Sequence, residues 1–419
     1  MDDVVVASAC RSAIGAFGGA LKDVPPYLLA ATVIREALNR AGIRPEDVDD
    51  VRLGSCFEPY LTKSVARSAA LEAGIPVTVT AVSMDRVCVS AMEAVVSGMA
   101  MIKAGLAEVI VAGGVEVMSG VPYAVPTARW GARLQNQSID DQVIEGLYCG
   151  SRYNPCPPDE SGQDHPVHAR LQGQPYVMGH TAELVAELYS LSREEMDEVA
   201  LRSHHNVERA TQEGDFRDEI VPVEIPQKRG RPPVVFARDE HFRPALTMDD
   251  LAALRPAFMP DIGKVTAGNS AGINDGASAM VIMSADKARA LGVTPMARIM
   301  GVGYGGCEPS IMGISPIPAV RDLERRSGLR LVDFELLEVH EAFASQYLAC
   351  ERDLGLDREI ANVNGSGIGL GHPVGSTGCR LMVTLLYALR NRGKTLGLAT
   401  LCGGGGVSMA VALEITGDQ

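Results

Sequence analysis

Short aliphatic runs alternate with helix-like stretches at both ends of this chain, and this alternation constrains its fold more than any other feature. Strand-like runs at residues 4–7 and 109–112 are separated by helix-like segments such as residues 27–41 and 89–104. Strands that alternate with helices of this length are typical of α/β folds, in which helices cover a sheet. The sequence therefore predicts an α/β fold.

The alternation breaks between about residues 119 and 248, where the chain turns polar and irregular. Within this region, residues 183–214 are expected to be helical, with Ser192 as an N-cap ahead of Glu194 and Glu195. The segments at the two ends look alike, because residues 107–119 read AEVIVAGGVEVMS and residues 394–410 read KTLGLATLCGGGGVSMA. Each follows an apolar helix-like stretch and combines a strand, a glycine run and a second short strand. A duplicated α/β core with an inserted loop domain explains this pattern, although any two α/β segments share part of such a likeness.

The charge balance of the chain argues against one broad class of partner. Among 419 residues, 52 are acidic and 38 are basic, which gives a formal net charge of −14. General nucleic-acid-binding proteins usually present a basic face, so we expect no nucleic-acid partner. The densest basic cluster, QKRGR at residues 227–231, suits an anionic small ligand, although a solvated run of charge explains it too.

The sequence also bears on the compartment in which the protein works. The MDDVVV start lacks the basic region of a signal peptide, and no uncharged apolar run reaches the length of a membrane helix. The nine cysteines are an odd number scattered over a large chain, which fits free thiols in a reducing compartment. We therefore expect a cytoplasmic protein without a membrane span.

Cys88 and His372 are the first candidates for chemistry. Cys88 stands where a strand-like run gives way to an apolar helix-like stretch. The positive end of a helix dipole lowers the pKa of a thiol, as a nucleophilic thiolate requires. His372 lies within NGSGIGLGHPVGSTG and could act as the base for that thiol. A small core cysteine and a turn histidine bonded to backbone explain the same two positions.

Two further segments carry weaker indications of catalysis. Cys402 opens a run of four glycines, residues 403–406, which lets the backbone bring its amides close to a substrate. An oxyanion hole needs such donors, although a plain tight turn has the same composition. His340 begins the HEAFA segment at the end of a strand-like run, where polar residues of α/β sheets often face a ligand.

Together these segments resemble the thiolase family, whose members condense and cleave acyl-CoA thioesters. The segments RVCVSA, HEAFA, GHPVGSTG and CGGGG occur in the family's order, as do TAGN at residues 266–269 and MGHTAE at residues 178–183. The resemblance covers nearly the whole chain. It implies a thiolase-like duplicated core of two βαβαβαββ-type halves, in five layers (α-β-α-β-α), with an inserted loop domain.

The resemblance also implies domain boundaries. The N-terminal core is expected at residues 1–118 together with 249–287. The loop domain, which binds coenzyme A, is expected at residues 119–248, and the C-terminal core at residues 288–419.

Each candidate residue receives a role from the resemblance. Cys88 matches the acylated nucleophile, and His372 matches the base that deprotonates it. Cys402 matches the second cysteine, which moves a proton on and off the α-carbon of acetyl-CoA. The amides of Cys88 and Gly404 match the oxyanion hole. His340 stands where most members have an asparagine that holds a water, and is expected to tune the oxyanion site.

The substrates implied by the resemblance are coenzyme A and acyl-CoA, with no permanently bound cofactor and no metal. The expected contacts to coenzyme A are Met178, Ser270 and one of the basic residues Arg229 and Arg231, whose guanidinium groups suit its phosphates. Ala271 stands where many members have a serine that contacts coenzyme A, and Ser270 is the neighbouring hydroxyl.

A zinc site is an alternative for the long loop at residues 150–175. Cys149, Cys156, His165 and His168 give a C-x6-C-x8-H-x2-H spacing that could ligate zinc. This spacing is not a standard one, so we expect an ordinary polar loop.

The sequence resembles two different subgroups of the thiolase family. His340 and His180 resemble a subgroup that includes the β-subunits of trifunctional fatty-acid oxidation complexes, which raises a β-oxidation partner subunit as an option. Residues 128–133 (ARWGAR) instead resemble tetrameric short-chain acetoacetyl-CoA thiolases. The family pairs its N-terminal domains, so a homodimer or homotetramer is expected, while the preferred acyl-chain length stays open.

Two other functions stay open from sequence. A decarboxylating ketoacyl synthase uses a Cys-His-His set, which Cys88, His340 and His372 would supply, but it lacks a second cysteine such as Cys402. A non-catalytic relative that binds acyl-CoA or lipid predicts the loss of at least one catalytic residue, and none is lost.

Overall fold

The computed structural model describes residues 3–227 and 231–416. Its strands, in chain order, are β1 (Val4–Ser12), β2 (Gly15–Ala16), β3 (Asp50–Gly54), β4 (Thr80–Met84), β5 (Val109–Val117), β6 (Tyr123–Ala124), β7 (Asp140–Asp141), β8 (Ile220–Val221), β9 (Val223–Ile225), β10 (Val234–Phe236), β11 (Asn274–Ser284), β12 (Ala297–Gly306), β13 (Leu336–Val339), β14 (Leu396–Gly403) and β15 (Val407–Ile415). Its α-helices are α1 (Pro26–Ala41), α2 (Val65–Glu72), α3 (Ser90–Lys103), α4 (Gln142–Leu147), α5 (Pro166–Leu171), α6 (Met178–Leu188), α7 (Arg193–Glu213), α8 (Met248–Ala252), α9 (Ala285–Leu291), α10 (Pro316–Ser327), α11 (Ala344–Leu354), α12 (Gly367–Leu370) and α13 (Val374–Asn391).

The two halves of the protein repeat one strand order. The first half runs β4-β3-β5-β11-β1 across the sheet, and the second runs β13-β14-β15-β12, with Ala361 bridged to β13. In the first half β3 pairs with β5 in parallel, as β13 pairs with β14 in the second half. The next strand along the chain, β11 or β15, then pairs antiparallel both with that strand and with the first strand of its half, β1 or β12. This repeat confirms the duplicated α/β core that the likeness of the two ends predicted.

The alternation of side chains along the strands separates the core into layers, because successive side chains point to opposite faces. Val5 of β1 faces a cluster built with α1 and α2, whereas Val4 faces a cluster built with α3 and α13. In the second half, Leu336 faces the α13 side and Leu337 faces α10 and α11. The resulting order of α, β, α, β and α layers confirms the five-layered prediction.

The segment inserted between β5 and β11 is tied to the first sheet by a buried arginine. Arg11 of β1 is fully buried, and its Nε lies 2.6 Å from Oε1 of Glu219. Its two terminal nitrogens donate to the carboxylate of Asp239 at 2.7 and 3.0 Å. Glu219 and Asp239 both belong to the insertion, so these bonds fix it against β1.

Arg11→Met is expected to lower the free energy of unfolding by about 3–5 kcal/mol, because it leaves two buried carboxylates without their counter-charge. A denaturant titration followed by circular dichroism measures this loss. The matched control is Arg44→Met, which breaks the exposed pair with Asp47 and should leave the midpoint almost unchanged. Equal shifts in the two variants would contradict the role of Arg11 as the tie.

The helix-like stretch at residues 183–214 differs from the sequence prediction of one helix. It divides into α6 and α7, and Ser190 between them has a φ of 51°. Ser192 caps α7, since its side chain accepts a hydrogen bond from the amide of Glu195, as its position before two glutamates predicted.

The loop at residues 150–175 packs around a small core of its own. Cys156 is buried among apolar side chains from α5 and α6. Nδ1 of His165 lies 2.7 Å from Asp159, and Nε2 of His168 donates to the carbonyl of Pro157 at 2.8 Å. Within residues 3–227 and 231–416, no cluster of His, Cys, Asp and Glu side chains has the arrangement of a metal site.

A helix that crosses a bilayer needs about 20 predominantly apolar residues, and the helices named above are shorter or more polar than that. In the described part of the chain, none of them is long and apolar enough to span a membrane.

Candidate active site

Because the fold is duplicated, the N-termini of two equivalent helices, α3 and α13, lie in the middle layer. Helices α3 and α13 occupy the same place in their respective halves and pack against each other between the sheets. Cys88 lies two residues before α3, and His372 lies two residues before α13. Cys88 and Ile273 both pack against the apolar cluster that includes Val374, and Ile273 is bridged to His372. The repeated fold therefore gathers residues from opposite ends of the sequence into one site.

Cys88 lies in a tight turn between β4 and α3. Val87, which precedes it, has a φ of 50°, a left-handed conformation that valine rarely adopts. The turn is held by the amide of Ser90, which donates to the carbonyl of Val87 at 3.0 Å. The backbone amides of Cys88 and Gly404 lie near the sulfur of Cys88 and act to lower its pKa. These are the two amides that the resemblance implied for the oxyanion hole.

The sulfur of Cys88 is closely surrounded by protein. Burial raises the pKa of the Cys88 thiol to about 11, although the amides of Gly404 and Cys88 lower it in part. The prediction that the start of the helix lowers this pKa is therefore wrong, because the loss of water around the sulfur outweighs the helix dipole. A neighbouring base must remove the proton when Cys88 reacts.

His372 has the tautomer that such a base needs. Its Nδ1 lies 2.7 Å from the hydroxyl of Thr377, and that hydroxyl donates its single proton to the carbonyl of Pro373 at 3.0 Å. Nδ1 must therefore carry the hydrogen, which leaves a lone pair on Nε2. Burial, assisted by the charge of Arg380, lowers the pKa of His372 to about 3, so the ring is neutral. The sequence analysis missed Thr377, a hydroxyl five residues beyond His372.

His340 lies beside this base, with the two ring centroids 4.2 Å apart and the ring planes tilted by 45°. It is fully buried, and within the described residues neither of its ring nitrogens has a hydrogen-bond partner. Gly367 makes room for it, since a Cβ there would lie 2.4 Å from the ring. Burial lowers the pKa of His340 well below its usual range, and the charges of His372 and Arg380 act in the same direction. Both histidines are therefore neutral.

Cys402 is buried in β14, one residue before the end of the strand and directly before the glycine run. Burial raises its pKa well above the usual value, and the charge of Cys88 is the next largest cause in the same direction. Gly404 lies close to two other sulfurs, because a Cβ there would be 2.3 Å from Cys149 and 3.1 Å from Met178. Only glycine brings its amide to Cys88 without displacing these side chains.

Glu116, a buried residue that holds two segments of the site together, was not predicted from the sequence. It is buried in β5 and accepts hydrogen bonds from the amides of Cys56 at 2.8 Å, Phe57 at 3.2 Å and Gly375 at 3.0 Å. Burial raises its pKa to about 7, while these three amides lower it in part. Glu116 thus joins the loop after β3 to the start of α13. A glutamate within an otherwise apolar strand was the available signal.

The residues expected to contact coenzyme A differ in their burial and in their position relative to the catalytic residues. Met178 begins α6 beside Gly404. Ser270 is buried, and its hydroxyl donates to the carbonyl of Thr266 at 2.7 Å. Arg231 is exposed ahead of β10, and Arg229 lies outside the described residues. The structure thus brings Met178 to the catalytic loop, and the contacts of Arg229, Arg231 and Ser270 with coenzyme A stay predictions.

A partly buried thiol with two backbone amides nearby, in a site with a neutral histidine and a second cysteine, is suited to acyl transfer through a cysteine. This arrangement defines the class of the protein as a cysteine-dependent acyltransferase.

Comparison with known families narrows this class. The thiolase N-terminal domain matches residues 4–154 and 163–286, and the thiolase C-terminal domain matches residues 293–415. The chain belongs to the thiolase family, and its activity is that of a thiolase. The alternatives of a decarboxylating synthase and a non-catalytic binding protein receive no support.

Individual relatives agree over the full length of the chain. An acetyl-CoA acetyltransferase of Cupriavidus necator is 42% identical, with 99% of this chain and 100% of the relative covered. An acetyl-CoA acetyltransferase of Syntrophomonas wolfei is 44% identical, with 98% and 99% covered. The crystal structure of the Bacillus anthracis acetyl-CoA acetyltransferase superposes with a TM-score of 0.91 at 47% identity, with 99% of each chain covered.

Proposed function

We propose that this thiolase exchanges acetyl and other short acyl groups between Cys88 and coenzyme A. It cleaves a 3-ketoacyl-CoA in one direction and condenses acetyl units in the other. The observation that carries the proposal is the pair of amides, from Cys88 and Gly404, that lie near the sulfur of Cys88. The relatives named acetyl-CoA acetyltransferase support acetyl as the transferred group.

The first half-reaction of thiolysis forms the acyl-enzyme. Nε2 of His372 takes the proton of Cys88, and the thiolate attacks the 3-keto carbonyl of the substrate. The amides of Cys88 and Gly404 stabilise the oxyanion, and the bond between carbons 2 and 3 then breaks. Cys402 protonates the α-carbon of the departing acetyl-CoA enolate, whose oxygen lies beside His340 and His372.

The second half-reaction returns the enzyme to its starting state. The Cys402 thiolate accepts the proton of free coenzyme A, whose sulfur attacks the acyl group on Cys88. The same two amides hold the new oxyanion as the acyl-CoA forms. Cys88 leaves as a thiolate and recovers its proton from His372, so every proton is accounted for.

The two histidines are expected to respond differently to the same substitution. His372→Asn should lower kcat/KM for thiolysis by about 10²–10⁴-fold, the usual contribution of general acid–base catalysis. His340→Asn should keep substantial activity with a shifted pH profile, because His340 tunes the oxyanion site and does not act as the base. Steady-state kinetics across a range of pH measure both, and exchanged outcomes would refute the assignment.

The substrate is tested by the cleavage of acetoacetyl-CoA and of a long-chain 3-ketoacyl-CoA, each with and without coenzyme A. We expect cleavage that depends on coenzyme A and is faster with acetoacetyl-CoA. Decarboxylation of malonyl-CoA without thiolysis would refute the proposal, and faster cleavage of the long chain would refute the short-chain preference.

A homodimer is expected to form along the edge of the first sheet. β4 is the last strand of that sheet, and its side chains keep some exposure, unlike the buried β1 and β5. An edge strand offers unpaired backbone groups to another copy, and the turn of Cys88 follows β4 directly. Light scattering should give a dimer or a tetramer at micromolar concentration, and a monomer would contradict this expectation.

The domain division is proposed as expected from the sequence, with cores at residues 1–118 plus 249–287 and at 288–419 around a loop domain at 119–248. The return of β11 to the first sheet after the insertion supports this division.

A cytoplasmic location and a β-oxidation partner subunit stay predictions. Nine free cysteines are consistent with the reducing compartment.

A further inference from the structure

An apolar groove lies beside the active site and is not used by the mechanism. It has a volume of about 660 Å³ and is formed by the segment ahead of α1 and the loops after β3 and β5. Apart from Lys22, Asp23 and Thr62, its lining is apolar or aromatic, as at Tyr27 and Leu61. This volume is within the range of small-molecule sites.

The groove and the surroundings of Cys88 share a wall. Phe57 and Val121 line the groove, and both pack in the apolar cluster that also includes Cys88. The buried members of this cluster are Met118 and Val143, with Val374 at the start of α13. Phe57 and Val121 therefore belong both to the wall of the groove and to the apolar surroundings that Cys88 shares.

Phe57 is held firmly in this wall. Its ring lies against α4, where a Cβ on Gly146 would be only 2.4 Å from the ring. Its amide donates to the buried Glu116 at 3.2 Å, and the amide of Cys56 donates to the same carboxylate at 2.8 Å. The ring is thus fixed by backbone bonds on one side and by a glycine on the other.

We propose that Phe57 determines the acyl-chain specificity of this thiolase by closing the path from Cys88 into the groove. Short acyl groups fit on Cys88 without moving the ring, whereas the tail of a medium-length straight chain has to displace it. Each methylene that gains apolar surroundings favours binding about fourfold (~0.8 kcal/mol). Removing the ring should therefore favour longer chains. This inference rests on the proposed function, because it assumes acylation of Cys88.

The test is a competition between two acyl groups for Cys88. Wild type and variants receive equal concentrations of acetyl-CoA and octanoyl-CoA, and intact mass spectrometry gives the ratio of octanoyl- to acetyl-enzyme. Phe57→Ala should raise this ratio by at least about tenfold, since small changes in an apolar pocket shift selectivity by about 10–200-fold. Phe57→Trp should lower it. Phe17→Ala is the matched control, because Phe17 is 58% exposed and outside the groove lining.

Each outcome decides the inference. An unchanged ratio in a folded Phe57→Ala variant would overturn it, and so would a wild type that accepts octanoyl as readily as acetyl. If Phe57→Ala does not fold, Phe57→Trp is the test. A ratio of octanoyl- to acetyl-enzyme in this variant equal to that of wild type would refute the role of Phe57 in closing the path. A wild type that forms no acyl-enzyme on Cys88 with either substrate would refute the proposed function instead.

Discussion

Cys88→Ala is expected to abolish turnover, with a loss in kcat for acetoacetyl-CoA thiolysis of about 10⁶-fold, the size observed when a catalytic nucleophile is removed. The physical reason is that the sulfur of Cys88 carries the acyl group, beside the amides of Cys88 and Gly404. Loss of the sulfur removes both the bond to the acyl group and the place where the oxyanion forms. Initial rates at saturating substrate measure the loss.

The control for this prediction is Cys56→Ala. Cys56 is the neighbouring thiol, and it donates to the carbonyl of Val87 at 3.1 Å, one residue before the nucleophile. We expect this variant to keep most of its activity, because it makes no bond to the reacting group. Equal losses in the Cys56 and Cys88 variants, or more than about one hundredth of wild-type activity in Cys88→Ala, would contradict the assignment.

Cys402→Ser is expected to lower thiolysis and condensation by about 10²–10⁴-fold while leaving acylation of Cys88 intact. A serine hydroxyl keeps the size of the side chain but exchanges protons with the α-carbon far less readily than a thiol. The buried position of Cys402 at the end of β14 leaves no neighbouring thiol on the same strand to replace it. Steady-state assays in both directions measure this loss.

Cys350→Ser is the matched control, because Cys350 is another buried cysteine of the second half and bonds to the carbonyl of Gly313. A serine can keep that bond, so near-normal turnover is expected. A Cys402→Ser variant with near-normal thiolysis would refute its role in proton transfer.

The sequence predicted the fold well because the core is built from a repeated pattern. The likeness of residues 107–119 and 394–410 is a local feature of the sequence. Its predicted second short strand is present in the second segment, as β15, but is wrong for the first, because β5 continues through Gly113 and Gly114 as one strand. The same repeat explains why the positions of Cys88 and His372 could be predicted, since each precedes an apolar helix. Their equivalence in the two halves became visible only from the strand order.

The electrostatics of the site could not be predicted from local sequence. The start of α3 suggested a lowered thiol pKa, but the burial that raises it involves residues distant in sequence, such as Val143 and Val374 of the apolar cluster against which Cys88 packs. The tautomer of His372 likewise depends on a hydrogen bond from Thr377 to Pro373. Glu116 joins segments far apart in the chain, so its role appears only in the assembled fold.

Helix boundaries show the same dependence on local detail. Residues 183–214 carry the composition of one long helix, and only the left-handed backbone at Ser190 divides it. The capping of α7 by Ser192 was predictable, because serine followed by glutamate three residues later is a local signal.

The division of work between the two cysteines is tested most directly by locating the acetyl group after exposure to acetyl-CoA. Wild type, Cys402→Ser and Cys88→Ala are treated alike, digested and mapped by peptide mass spectrometry. The acetyl group should be found on the Cys88 peptide in wild type and in Cys402→Ser, and on no peptide in Cys88→Ala. Acetyl found on Cys402 in wild type or in Cys88→Ala, with Cys88 unmodified, would contradict the mechanism.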